Sequence, residues 1–261
     1  MVCRMESKVK IMPCLDMQNG RVVKGVQFVE IRDAGDPVEC CRAYCHAGAD
    51  ELAMLDISAT LEGRDTLLKV VADVARAVTV PFTVGGGIHD VPSAAAVLAA
   101  GANNVSVNSA AFKKPALIGE MIREFGADKV TVAIDVVQNV AMPSGYEVYV
   151  KGGTVATGVD AIEWAKQVDA YGVKTILPTS KSTDGMRTGF DLPLISKMKA
   201  ATRAEIVASG GAGTMEHFLE AARAGATILL GASVFHFNVI SIPELKAYLR
   251  ANGVLIEGNA L

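Results

Sequence analysis

The chain has 261 residues, 51% of them hydrophobic, and a formal net charge of −3 at pH 7. The length is slightly above the roughly 250 residues of an eight-stranded α/β barrel, and the apolar content suffices for a buried parallel sheet. Slight acidity argues against a nucleic-acid-binding protein, no apolar run approaches the roughly 20 residues of a membrane span, and Met1-Val-Cys-Arg-Met-Glu-Ser-Lys8 lacks a signal-peptide core, so a cytoplasmic protein is expected.

The first apolar run, Lys10-Ile-Met-Pro-Cys-Leu-Asp16, ends in a carboxylate. The long connection from Met17 to Arg32 contains Asn19-Gly-Arg-Val-Val-Lys-Gly25, a turn dipeptide beside alternating residues, and reads as a hairpin. Asp36 and Pro37 read as the cap and first position of a helix that carries Cys40, Cys41 and Cys45. Cys41, Cys45 and His46 could ligate zinc, but no second ligand pair at metal spacing accompanies them; ordinary helix thiols are the other reading, and no metal is expected.

Glu51-Leu-Ala-Met-Leu-Asp-Ile-Ser58 is the second run, and Leu67, Val70, Val71, Val74 and Val78 then recur at helical spacing. Pro81-Phe-Thr-Val-Gly-Gly-Gly-Ile-His89 leads through a helix marked by Ala94, Val97 and Leu98 to Val105-Ser-Val-Asn-Ser-Ala-Ala-Phe112. The fifth run, Val130-Thr-Val-Ala-Ile-Asp135, precedes a long segment, Val136 to Gly158, with a second hairpin at Tyr146-Glu-Val-Tyr-Val-Lys-Gly-Gly153. Thr175-Ile-Leu-Pro-Thr-Ser-Lys-Ser182, Glu205-Ile-Val-Ala-Ser-Gly-Gly-Ala-Gly213 and Thr227-Ile-Leu-Leu-Gly-Ala-Ser-Val-Phe235 follow, and a closing helix starts at Ser241-Ile-Pro and stops at Gly253. Eight runs, ending near Asp16, Asp56, Gly85, Asn108, Asp135, Thr179, Ser209 and Gly231, each precede a helical pattern. Such alternation implies parallel pairing with right-handed crossovers, and eight units favour closure into a single (β/α)8 TIM barrel, one domain over residues 1–261.

The chain repeats itself. The glycine segment at 81 has a counterpart at 205, Asp16 one in Asp135, and Glu51–Ser58 one in Thr175–Ser182, so the barrel is expected to consist of two pseudo-symmetric halves. Glycine admits close backbone approach to an oxyanion and a following helix N-terminus offers N–H donors, so each half carries a candidate phosphate cradle. Two cradles suggest a substrate with a phosphate at each end.

Cys14-Leu-Asp16, Asn19-Gly-Arg-Val-Val-Lys-Gly25, Arg32-Asp-Ala-Gly-Asp-Pro37, Val84-Gly-Gly-Gly-Ile-His89, Val132-Ala-Ile-Asp135, Asp184-Gly185, Ala208-Ser-Gly-Gly-Ala-Gly213 and Ala232-Ser-Val-Phe-His-Phe237 together resemble the cyclase subunit of imidazole glycerol phosphate synthase. The resemblance covers almost the whole chain. It implies a lyase of histidine biosynthesis that combines ammonia with a bisphosphorylated phosphoribulosyl-formimino aminoimidazole carboxamide ribonucleotide, releasing imidazole glycerol phosphate and the aminoimidazole carboxamide ribonucleotide, without a cofactor. By the motif match Asp16 is the general base and Asp135 the general acid/base; an Asp at a strand end can also simply order a loop or cap a helix. The match puts one phosphate on Gly87, Asn108 and Ser109 and the other on Gly185, Gly211, Ala232 and Ser233. Lys24 is implied as a cation closing over the substrate, and Asp56, Thr179, Asp184 and Ser209 as polar groups lining the mouth; His89, His217 and His236 read as structural.

The family draws ammonia from a glutaminase (glutamine amidotransferase) subunit at the N-terminal barrel face, through a gate of charged residues. The matching positions are Lys10, Glu51, Asn104 and Thr175, so two charges are missing and Lys10 and Glu51 are expected to lose ion-pair partners. Asn103 stands where an acidic residue usually helps engage the glutaminase, a basic pair is missing from Val136-Val-Gln-Asn139, Pro178 interrupts a central strand, and no acidic residue stands two positions before Asp184. Three readings follow: the histidine-pathway cyclase with its glutaminase, a paralogue running the same ammonia chemistry on another phosphorylated or nucleotide-linked substrate, and a phosphate-ligand-binding barrel without activity.

Overall fold

The computed structural model describes residues 8–26, 29–63 and 65–257; the N-terminal stretch read for a signal peptide and the side chain of Lys24 lie outside the described residues. In the first half, strand β1 (Lys10–Gln18) runs into β2 (Arg21–Val26) and β3 (Val29–Gly35), followed by helix α1 (Pro37–His46), β4 (Leu52–Asp56), α2 (Ala59–Glu62), α3 (Leu68–Ala75), β5 (Phe82–Gly85), α4 (Val91–Ala99), β6 (Asn104–Val107), α5 (Ser109–Lys113) and α6 (Ala116–Phe125). The second half repeats this order except that a single helix follows β10, with β7 (Val130–Gln138), β8 (Tyr146–Val150), β9 (Val155–Asp160), α7 (Ala161–Ala170), β10 (Thr175–Ser180), α8 (Leu192–Ala201), β11 (Glu205–Ala208), α9 (Met215–Arg223), β12 (Ile228–Gly231), α10 (Ser233–His236) and α11 (Ile242–Ala251).

Eight parallel strands close a ring in the order β1, β4, β5, β6, β7, β10, β11, β12. Both long connections are antiparallel hairpins, β2–β3 on the end of β1 and β8–β9 on the end of β7. The Asn-Gly turn joins β1 to β2, with Asn19 and Gly20 both at positive φ (51° and 76°), as a tight turn between twisted strands requires. Pro178 sits inside β10 with β7 still in register on one side, Pro178 opposite Ile134.

The half-barrel symmetry extends to individual caps. Asp36 accepts from the amides of Val38 (2.9 Å) and Glu39 (3.1 Å) to start α1, and Asp160 accepts from those of Ile162 (2.9 Å) and Glu163 (3.2 Å) to start α7. Each satisfies donors that the first helical turn leaves without intrahelical partners.

Two apolar cores hold the barrel. The larger lies between strands and helices; the smaller fills the barrel interior with Met12, Cys14, Ala53, Leu177, Val207 and Leu230. Successive strand side chains point to opposite faces, so this interior set fixes which residues look down the axis.

Candidate active site

Asp16 lies two residues beyond the inward-facing Cys14 on β1, and Asp135 two beyond the inward-facing Ala133 on β7. Both therefore point into the barrel at its C-terminal mouth. Their strands stand four places apart in a ring of eight, which sets the two carboxylates on opposite walls. The Sγ of Cys14 lies 4.0 Å from Asp16 Oδ1. Asp135 accepts a 2.9 Å hydrogen bond from the Asn108 amide.

The surroundings of Asp135 alter its acidity. Desolvation raises its pKa most and the charge of Asp184 adds to this, while the Asn108 hydrogen bond and the charge of Lys181 oppose; the carboxyl ends up at about 6, against an ordinary 3.8. A carboxyl in that range exchanges protons near neutral pH.

The cradles are copies in backbone detail. Gly86 and Gly87 take φ of 93° and 75°, and their counterparts Gly210 and Gly211 take 82° and 110°. A threonine hydroxyl steadies each: Thr66 donates to the Gly86 carbonyl (2.6 Å), Thr183 to the Gly210 carbonyl (3.1 Å). Asn108 and Ala232, before the short helices α5 and α10, adopt nearly the same unusual dihedrals, −129°/−89° and −110°/−85°. Symmetry breaks in the side chains, since Ala232 has no amide to offer where Asn108 donates to Asp135.

Both cradles are packed tightly. A Cβ on Gly86 would lie 2.1 Å from the Asp56 carbonyl, and one on Gly211 would lie 2.0 Å from the Gly189 carbonyl. Gly86→Ala and Gly211→Ala are expected to combine left-handed strain, roughly 1–3 kcal/mol, with displacement of these loops. Gly48→Ala, at φ 84° with nothing within 4 Å of its added Cβ, incurs only the strain. Denaturant unfolding should show both cradle variants less stable than Gly48→Ala; equal losses would show that close packing is irrelevant.

The remaining mouth residues are partly engaged within the protein. Asp56 accepts from Ser58 N (3.3 Å), Ser58 Oγ (3.3 Å) and Ala59 N (3.1 Å), ordering the loop after β4. Thr179 Oγ1 donates to Ser209 Oγ at 3.3 Å across neighbouring strands. Ser109 Oγ accepts from the Lys151 amide (2.8 Å), Ser233 Oγ from Arg187 Nε (3.4 Å). The Asp184 amide donates to the Ser180 carbonyl at 3.0 Å, which places Asp184 and Gly185 beside the second cradle. Among the described residues, no group of three or more His, Cys, Asp or Glu is placed to hold a metal ion, and no helix is long and apolar enough to cross a membrane.

The chain matches the family described as "Histidine biosynthesis protein" over residues 10–241. It is 47% identical over 252 residues to the imidazole glycerol phosphate synthase subunit HisF of Thermobifida fusca, covering 95% of this chain and 98% of that one. It is 49% identical over 252 residues to the imidazole glycerol phosphate synthase subunit HisF of Pyrobaculum aerophilum, covering 96% and 98%. The chain belongs to the HisF family.

This HisF chain departs from expectation at the barrel floor. Lys10 and Glu51 do not lose their ion pair; they form one with each other at 2.6 Å. They belong to adjacent strand starts, so they meet without a third residue. Burial alone would lower the Lys10 pKa, but the Glu51 hydrogen bond and charge, with Glu205 and Glu257, outweigh it and raise the ammonium above its ordinary value. With its amide turned to donate, Asn104 reaches the backbone carbonyls of Asn103 (2.7 Å) and Asp128 (3.3 Å), and Asn103 Oδ1 accepts from the Phe82 amide (3.0 Å). Thr83, Asn104, Thr131, Thr175 and Glu205 line a polar recess beside the pair.

Sequence reasoning also passed over Asp191, a buried carboxylate of this HisF chain. It accepts from the Tyr146 hydroxyl (2.6 Å), Ser180 Oγ (2.9 Å), Gln138 Nε2 (3.3 Å) and the Leu194 amide (3.2 Å). It thereby ties the β8–β9 hairpin to the end of β10. Burial raises the Tyr146 phenol and the bond to Asp191 raises it further. Asp191 before Leu-Pro carries a helix-cap signal in sequence, but nothing local announces its long-range partners.

Proposed function

We propose that this chain performs ammonia-dependent ring closure on a phosphoribulosyl-formimino aminoimidazole carboxamide ribonucleotide, yielding imidazole glycerol phosphate and the aminoimidazole carboxamide ribonucleotide. The observation that carries this is the combination, on one barrel rim, of two inward carboxylates on opposite walls with two duplicated glycine cradles. Asp16 acts as general base at one end of the reacting segment. Asp135, held near neutral range and oriented by Asn108, donates and accepts protons at the other.

Gly87, Asn108 and Ser109 anchor one phosphate, and Gly185, Gly211, Ala232 and Ser233 the other, through backbone donors at the cradles and the short helices that follow. Lys24, Asp56, Thr179, Asp184 and Ser209 surround the reacting segment. Turnover of the ribonucleotide with ammonium chloride tests this reading, with both products quantified. No product at any ammonium concentration would overturn it.

A glutaminase docked on the N-terminal face supplies the ammonia in the assembled enzyme. The Lys10–Glu51 pair and the uncharged Asn104 and Thr175 form a floor with fewer charges than the family's gate, and Asn103 offers no charge to a docking partner. Loss of a rim charge mainly slows association. The isolated chain is therefore expected to use free ammonium readily and to couple poorly to a glutaminase from an ordinary family member. Product formed per glutamine hydrolysed should rise in Asn103→Asp/Asn104→Lys; one-to-one coupling by the unmodified chain would show these positions to be neutral.

A further inference from the structure

The β8–β9 hairpin turns at Lys151, Gly152 and Gly153, three successive residues with φ of 54°, 64° and 70°. This tip is pinned at two places. On one side the Lys151 amide donates to Ser109 Oγ at 2.8 Å. On the other, Lys181 Nζ donates to the Gly153 carbonyl, and the lysine stem lies so close that a Cβ on Gly153 would come 2.6 Å from Lys181 Cδ. Glycine at 153 thus does two things: it takes the left-handed turn, and it leaves room for the lysine to cross it.

Lys181 is also placed by its backbone. Its amide donates to the Val136 carbonyl at 3.0 Å, which sets the residue two positions beyond Thr179, the residue in register with Asp135, where the ends of β7 and β10 join. The side chain is half-buried, and its charge acts on the Asp135 carboxyl against that of Asp184. Around Asp135 the neighbouring elements present the Asn108 amide from the β6–α5 junction, Lys181 and Asp184 from the loop after β10, and Tyr149 in register on β8, with Asp16 across the mouth.

We propose that Lys181 is a positioning residue for Asp135: latched across Gly153, it holds the hairpin tip over this side of the mouth and sets an ammonium against the paired charges of Asp135 and Asp184. The proposal rests on the functional reading above for its catalytic consequence, but the latch and the charge can be measured without turnover. An ammonium bonded to a carbonyl is stronger than a neutral pair, and removing it leaves both the hairpin tip and the two carboxylates without that partner.

Lys181→Met keeps an unbranched stem and removes the charge; Lys181→Arg keeps the charge. Amide hydrogen exchange at residues 151–154 and a carbon-13 titration of the Asp135 carboxyl, assigned by its loss in Asp135→Asn, are measured on all three full-length proteins. In Lys181→Met, exchange at the tip should quicken about tenfold, the equivalent of one lost charge-assisted bond, and the Asp135 midpoint should move to higher pH. In Lys181→Arg both should return most of the way to wild type. Turnover with ammonium should fall about tenfold at pH 7 in the methionine variant, with the pH–rate limb that reports Asp135 displaced in the same direction as the titration. Unchanged tip exchange together with an unmoved Asp135 midpoint in Lys181→Met would overturn the assignment, as would an arginine variant indistinguishable from the methionine one. A wild-type chain that shows the latch and the titration but turns over no ribonucleotide would instead sink the functional reading and leave the placement of Lys181 standing.

Discussion

Asp135→Asn and Asp16→Asn are expected each to lower ammonia-dependent kcat by roughly 10²- to 10⁴-fold, the usual contribution of a general acid or base. The carboxamide nearly preserves shape, and Asn108 can still donate to the side-chain oxygen at position 135, so substrate binding should change little. The Asp135 variant carries a second signature. The wild-type carboxyl is raised to about 6 from 3.8, so the folded state binds its proton more tightly than the unfolded chain does. Stability from this group is therefore fully present below about pH 4 and lost as pH rises through 6. The loss is at most on the order of 3 kcal/mol, from about two pKa units. Asp135→Asn escapes it and should be the more stable protein at pH 8, with the advantage shrinking as pH falls to 4. Denaturant titrations at the two pH values, alongside steady-state turnover, measure both effects. Near-wild-type rates in either variant would remove that aspartate from the mechanism, and a stability difference that does not vary with pH would show that Asp135 is not penalised by burial.

Lys246→Met is expected to destabilise the barrel by about 3–5 kcal/mol, because it strips the partner from a charge removed from water. Lys246 Nζ lies 2.6 Å from Asp50 Oδ1, with only 12% and 8% of the two side chains exposed. The other oxygen of Asp50 accepts from the Ile11 amide at 2.8 Å, so one carboxylate joins the closing helix α11 to the first barrel strand. For a chain of this size such a loss corresponds to a fall in Tm of roughly 10 °C. The surface pair Lys69–Asp73, whose lysine is 90% exposed, should contribute under about 1 kcal/mol when broken in the same way. Thermal unfolding of both lysine variants, with Asp50→Leu and Lys246→Met/Asp50→Leu added to close a double-mutant cycle, separates the pair from its packing. A Lys246→Met chain as stable as its Lys69→Met counterpart would show that the buried pair is not a structural tie.

The barrel itself was legible in the order of apolar runs and helical patterns, because strands buried on both faces read as short apolar stretches and the helices between them keep a 3.6-residue stripe. The turn from β1 into β2 was marked by Asn19-Gly20, and the β8–β9 hairpin by Gly152-Gly153. The short helices α2, α5 and α10, of 4, 5 and 4 residues, were not, since a single turn is too short to show a period. Yet α5 and α10 open on Ser109 and Ser233, so these candidate phosphate positions were named by the motif match where periodicity fails.

What the sequence determined by itself was local and repeated: turns that need glycine, caps that need aspartate, and alternation that sends Asp16 and Asp135 to the same side of their strands. Only the tertiary structure decided which distant groups meet. Lys10 found Glu51 instead of standing without an ion pair, Asp191 gathered Tyr146, Ser180 and Gln138, and Lys181 crossed Gly153 beside Asp135. Backbone geometry is dictated over a few neighbouring residues. The pairing of charges depends on which strands closure brings side by side, and no spacing along the chain encodes that.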